Sequence, residues 1–99
     1  MKDSIVEPRE IKSVELKIYG KVQGVWYRAS AKEKADELDL KGFVMNKPDG
    51  SVYAVAMGPE KQLKKLINWC HGGPPRAEVR EVTVSESSHS DFYDFQIRQ

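Results

Sequence analysis

Between Ile18 and Arg28 the apolar period of this chain changes. Val14, Leu16 and Ile18 alternate with polar residues, the two-residue period of a half-buried strand, and the alternation stops at Gly20. From Tyr27 to Leu38 the run is rich in alanine, lysine and glutamate, and Ala31, Ala35 and Leu38 recur at helical spacing. The strand must hand over to the helix within Gly20-Lys21-Val22-Gln23-Gly24-Val25-Trp26. Two glycines four apart in that segment, Gly20 and Gly24, allow backbone conformations closed to other residues, and let a ligand approach the main chain.

The rest of the chain reads as a succession of short elements. Residues 1–11 are charged, contain Pro8 and show no clear period, so they are expected to form a loosely ordered tail, with residues 12–99 as a single domain. KGFVMNK predicts a strand ending near Asn46. Pro48-Asp49-Gly50 predicts a tight turn, and SVYAVAM the returning strand of a hairpin. Gly58-Pro59-Glu60 opens a second helix, with proline suited to the first helical position and glutamate to the positive end of the helix dipole. Leu63, Leu66, Ile67 and Cys70 mark its buried stripe, and Gly72-Gly73-Pro74-Pro75 ends it. Ala77 to Ser85 is a fourth strand whose period slips between Val79 and Val82, the signature of a bulge. FYDFQI is a short final strand. The order β-α-β-β-α-β with an extra terminal strand is that of an α+β, ferredoxin-like sandwich: an antiparallel sheet with two helices on one face.

That plan decides which residues meet. In a split βαβ unit the first two strands run parallel with the third between them, so their C-terminal ends lie at one edge of the sheet. The loop from Gly20 and the end of the second strand at Asn46 are then two strand spacings apart, roughly 10 Å. The loop leads into a helix whose first N–H groups have no internal partner, a natural anion site. Arg28 in the first helical turn adds a planar fork of donors suited to phosphate. A cation is unfavourable at that end of a helix unless something anionic sits beside it. Loop and arginine alone also fit a plain tight turn.

Composition narrows the classes. Charged residues make up 31% and the net charge is +1, with no basic excess of the kind nucleic-acid binders show. Cys70 is the single cysteine, so no intrachain disulfide can form, which points to a reducing, cytoplasmic location. No apolar run approaches the roughly 20 residues of a membrane span, and MKDSIVEPREIK lacks the apolar centre of a signal peptide. Cys70 reads as core, His71 as a helix C-terminal residue, and His89 as a solvated loop residue. Their spacing suggests no metal site. Lys61, Lys64 and Lys65 read as a solvated helix face, while Lys21 and Lys47 could draw anions toward the loop. A rival reading is an RNA-binding sheet face with Phe43, Tyr53 and Phe95 as stacking aromatics. Another is a module that binds carbamoyl phosphate or a phosphorylated regulator without hydrolysing it.

The residues of the loop resemble the first signature of the acylphosphatase family, G-x-V-Q-G-V-x-F-R, with Tyr27 as the one departure. GFVMNKPDGSVYAVAMG, Gly42 to Gly58, resembles the second signature with every glycine in place. GPPRAEVREV and the ending DFQI are similar to the family as well, so the resemblance covers about residues 13–98. It implies a ferredoxin-like fold, hydrolysis of acyl phosphates to a carboxylate and inorganic phosphate, and no metal or organic cofactor. By the same resemblance Arg28 and Asn46 are catalytic. Gly20, Lys21, Val22, Gln23, Gly24, Val25 and Trp26 form the phosphate-binding loop, with N–H groups from about Lys21 to Val25 as donors. In the scheme expected here, Asn46 orients the attacking water and a phosphate oxygen of the substrate takes its proton. The expected partner is a small acyl phosphate as substrate, with no nucleic-acid or membrane partner, and the chain is expected to be a monomer. Asp39 stands where the family commonly has glycine, and the Tyr27 hydroxyl needs a partner if buried.

Overall fold

The computed structural model describes residues 10–89 and 91–99. The tail expected over residues 1–11 falls largely on residues 1–9, outside the described residues. The first strand, β1 (Ile11–Lys21), begins at the last residue assigned to that tail. It is followed by α1 (Tyr27–Glu37), β2 (Lys41–Asn46), β3 (Val52–Pro59), α2 (Glu60–Gly72), β4 (Glu78–Glu86) and β5 (Phe95–Arg98).

The sheet order is β4-β1-β3-β2-β5. β3 pairs antiparallel with both β1 and β2, so those two strands run parallel across it, as the split βαβ plan requires. β4 adds antiparallel on the far side of β1. β5 pairs parallel with β2, which makes the five-stranded sheet mixed and forms its other edge.

Both helices cover one face. Leu16 and Ile18 of β1, opposite Ala54 and Val52 of β3, point into the core, as does Val44 of β2. α1 packs over β2 and β5 through Tyr27, Ala31 and Ala35, one side of the helix at four-residue spacing. The alanines let the helix approach the sheet closely. α2 lies over β1, β3 and β4 through Leu63, Leu66 and Cys70, with Ile67 partly buried beside them. Each fully buried Leu, Val or Phe in this layer contributes roughly 1.5–3 kcal/mol. No helix among the described residues is long and apolar enough to cross a membrane.

Local chemistry accounts for the element ends. Pro59 keeps extended geometry (φ −65°, ψ 145°) as the last ladder position of β3. α2 therefore starts at Glu60, one residue later than proline at the first helical position would place it. Glu60 is held by Lys12 at 2.9 Å and Lys64 at 3.4 Å. Gly73 (φ 67°) ends α2, its N–H donating to Trp69 O at 2.8 Å. Asp39 takes the left-handed conformation (φ 60°) after α1, which aspartate tolerates at some cost in stability.

The period slip in β4 is a bulge. Tyr19 pairs with Glu81 and Gly20 with Val79, leaving Arg80 as the extra residue. Gly20 sits against this bulge at φ 129°, where a methyl group would collide with the Glu78 carbonyl oxygen and lie 2.7 Å from the Arg80 nitrogen. Its glycine character therefore serves the approach of β4 rather than that of a ligand.

Of the aromatics that could form an RNA-stacking face, Phe43 and Tyr53 share the side of the sheet away from the helices, but Phe95 does not. Phe95 is 2% exposed and belongs to the core under α1, on the helix side of the sheet. Phe43, on the other side, is 5% exposed and lies against Tyr53 and Phe92, with the Arg98 guanidinium 4.0 Å from its ring centre.

Candidate active site

The cleft at the start of α1 holds about 370 Å³ and is lined by Val22, Gly24, Trp26, Tyr27, Arg28, Ala29, Asn46 and Ile97. Four chain segments build it. β1 delivers the loop, α1 carries Arg28 in its first turn, β2 ends on Asn46, and β5 adds Ile97. Asn46 pairs with Val52, a core residue, so its side chain points to the helix side of the sheet, where Arg28 lies. The convergence of Arg28 and Asn46 expected from the strand order is thus present in one cleft.

The loop between β1 and α1 is arranged around its backbone. Val22 and Val25 are buried at 1% and 4% exposure and anchor it to the core. Gly24 between them is left-handed (φ 74°), and a Cβ there would meet nothing within 4 Å. Here the glycine is required by conformation, with its free side turned outward. Among the described residues, none of the N–H groups from Val22 to Trp26 donates to a protein oxygen. Trp26 is the helix N-cap, also left-handed (φ 68°), and makes no capping hydrogen bond. A bulky residue at positive φ is strained, and such strain persists where the surroundings impose it. The first turn of α1 carries no acidic residue. The helix therefore begins with unsatisfied donors, a positive dipole end and a guanidinium, with no negative group of its own to offset them.

Each expected site residue can be placed. Arg28 donates through Nη1 to the carbonyl oxygen of Arg98 at 3.2 Å, which ties the guanidinium to the end of β5. Val22, Gly24 and Trp26 line the cleft, while Gly20 lies back against β4. Lys21 is exposed at the end of β1, and Val25 points into the core. The Gln23 side chain is directed at the β2–β3 hairpin, donating to Lys47 O at 2.8 Å and Ser51 O at 2.9 Å. The Lys47 ammonium sits 5.3 Å from the Tyr53 ring centre, on the sheet face away from Arg28 and Asn46, so it does not join the cleft. Trp26 is 74% exposed at the rim and, with Ile97 and Ala29, gives the cleft an apolar side.

Ile97 and the Arg98 carbonyl were not among the expected site residues. The alternation in Phe95-Gln96-Ile97-Arg98 signals a strand, and nothing in four alternating residues says that it pairs with β2 rather than with β4. Tyr27 is 2% exposed, and its hydroxyl finds the partner that burial demands in the Cys70 carbonyl oxygen at 2.7 Å. Burial pushes the Cys70 thiol up to about 11, which fits a core residue rather than a nucleophile. His71 lies in the last turn of α2, and the exposed His89 contacts the Ser87 hydroxyl at 2.9 Å. No group of three or more His, Cys, Asp or Glu side chains with metal-binding geometry occurs among the described residues.

Comparison with known proteins bears on the same region. The family model described as Acylphosphatase matches residues 14–97. An acylphosphatase of Marinobacter nauticus is 54% identical over 81 residues, covering 81% of this chain and 88% of that one. A solved acylphosphatase structure from Coxiella burnetii is similar with a TM-score of 0.86 and 39% identity, over 89% of this chain and 93% of that one. One from Bacillus subtilis is similar with a TM-score of 0.85 and 31% identity, over 91% of this chain and the whole of that one.

Proposed function

The chain belongs to the acylphosphatase family, and we propose that it hydrolyses the carboxyl–phosphate bond of small acyl phosphates in the cleft between Arg28 and Asn46. The observation that carries this reading is the meeting of three features: unpartnered loop amides, a guanidinium in the first turn of α1, and a carboxamide at the end of β2.

The loop N–H groups and Arg28 take the phosphate oxygens. A dianion at an uncapped helix start satisfies donors that the fold leaves open, and Arg28 supplies bidentate geometry. The acyl group lies toward the apolar side formed by Trp26, Ala29 and Ile97. Asn46 holds a water in line with the scissile bond, its side-chain oxygen accepting from the water and its amide free to donate. The water oxygen attacks phosphorus, the bond from phosphorus to the carboxyl oxygen breaks, and the electron pair leaves with the carboxylate. The proton of the attacking water passes to a phosphate oxygen. A carboxylate departs without protonation, so neither a strong acid nor a nucleophilic side chain is needed. What remains is positioning and charge stabilisation, the usual protein contribution to phosphoryl transfer.

A cytoplasmic location and action as a monomer belong to the same reading. The test is release of inorganic phosphate from benzoyl phosphate by the purified chain, with chelator present and no metal added. Catalysed release supports the proposal, and a rate equal to the uncatalysed one overturns it.

A further inference from the structure

Gln23 sits in the middle of the loop, yet its side chain makes no contribution to the cleft surface. Its amide nitrogen donates to two carbonyl oxygens of the neighbouring hairpin, Lys47 O at 2.8 Å and Ser51 O at 2.9 Å. Both oxygens close the turn after β2. Lys47 O also accepts from Gly50 N at 3.1 Å, and Ser51 O accepts from Lys47 N at 2.9 Å. Asp49 fastens the same turn from outside, accepting from Ser51 N at 2.9 Å and Ser51 Oγ at 2.6 Å. Lys47 directly follows Asn46, so its carbonyl is one residue from the carboxamide in the cleft.

We propose that Gln23 is a positioning residue that acts through Asn46, setting the distance between the loop amides and the Asn46 carboxamide. The inference rests on the reading of Asn46 as the group that orients water. A primary amide carries two N–H donors. Each has its own carbonyl here, so neither remains for a substrate. The alternatives to glutamine fail for defined reasons. Glutamate keeps the length and loses both donors, asparagine is one methylene short, and methionine keeps the length without polarity. The loop backbone is joined to the core through Val22 and Val25, independently of this link. Without Gln23 the loop therefore keeps its form while the hairpin end carrying Asn46 is released from it.

The test uses the full chain with Gln23→Met, Asn46→Ala and the double variant, and reads kcat, KM for benzoyl phosphate and the inhibition constant of inorganic phosphate. Gln23→Met is expected to lose about tenfold to a hundredfold in kcat, the scale of a displacement of ~1 Å in a positioned group. Phosphate inhibition should be unchanged, and the double variant should be no slower than Asn46→Ala alone. Wild-type turnover in Gln23→Met, a parallel loss of phosphate binding, or multiplying losses in the double variant would each overturn the inference. If Gln23→Met does not fold, Gln23→Glu and Gln23→Asn give the same readings. Normal turnover in Asn46→Ala defeats the mechanism itself. A slow Asn46→Ala beside a normal or independently slowed Gln23→Met defeats only the role given to Gln23.

Discussion

The Tyr27 hydroxyl donates to the Cys70 carbonyl oxygen at 2.7 Å, joining the first turn of α1 to the last turn of α2 beneath the cleft. The Tyr27 ring also lies 5.4 Å from that of Trp69, so the start of the helix bearing Arg28 is braced by both polar and aromatic contacts. Carbonyls in the last turn of a helix lack intrahelical partners, and this one is buried against the phenol. Tyr27→Phe should leave it unsatisfied and lower stability by roughly 1–3 kcal/mol. Denaturant unfolding measures this, and an unchanged midpoint would mean that the bond contributes nothing net.

The two loop glycines should fail differently when replaced by alanine. At Gly20 a methyl group meets the backbone of β4 as well as unfavourable φ, so Gly20→Ala should cost more than the 1–2 kcal/mol of left-handed strain alone and disrupt the bulge. At Gly24 the space is open and only the conformation resists, so Gly24→Ala should fold, with a stability loss of about 1–2 kcal/mol. Thermal unfolding of the pair, with phosphate affinity measured on Gly24→Ala, separates the structural glycine from the loop glycine. Equal losses of stability would contradict the distinction.

Stability should fall in alkali. Burial raises the Cys70 thiol from its ordinary 9.0 to about 11, so between these values the unfolded chain has released a proton that the folded chain retains. The unfolded state then binds fewer protons, and stability falls as pH rises through this window. The contribution is fully present below pH 9 and is lost by about pH 11, a change of roughly 2–3 kcal/mol. Burial raises the Tyr27 phenol too, with the same sign. Denaturant melts at pH 7, 9 and 10.5 check it, with Cys70→Ala expected to flatten the slope.

Trp26 is held at the rim in a strained conformation and is largely exposed, so its removal should affect substrate preference more than the fold. Trp26→Ala is expected to raise KM for benzoyl phosphate several-fold and to change that for acetyl phosphate little, because only the aromatic acyl group is long enough to use the apolar side. An equal effect on both substrates would place the role of Trp26 in the loop conformation instead.

Much of the candidate site was legible because it follows from local patterns and one topological rule. The change of period at Gly20 located the loop, and the slip between Val79 and Val82 located the bulge at Arg80 that receives Gly20. The hairpin signal at Pro48-Asp49-Gly50 put Asn46 at a strand end, and the split βαβ order then carried it to Arg28. What escaped depends on contacts between residues far apart in the chain. Arg28 meets Arg98 across 70 positions, and Gln23 meets Lys47 across 24. Phe95 resembles an exposed strand aromatic until the parallel pairing of β5 with β2 turns it into the core. The left-handed backbone at Trp26 has no signal in residue type, since a bulky aromatic is among the least expected residues there.

The most direct measurement is to compare Asn46→Ala and Arg28→Ala for benzoyl phosphate turnover and for binding of inorganic phosphate by calorimetry. Asn46→Ala should bind phosphate like the wild type and lose about 10²–10³ in kcat, while Arg28→Ala should lose both binding and turnover. Near wild-type turnover in either variant, or loss of phosphate binding in Asn46→Ala with Arg28→Ala unaffected, would contradict the division of labour between the guanidinium and the carboxamide.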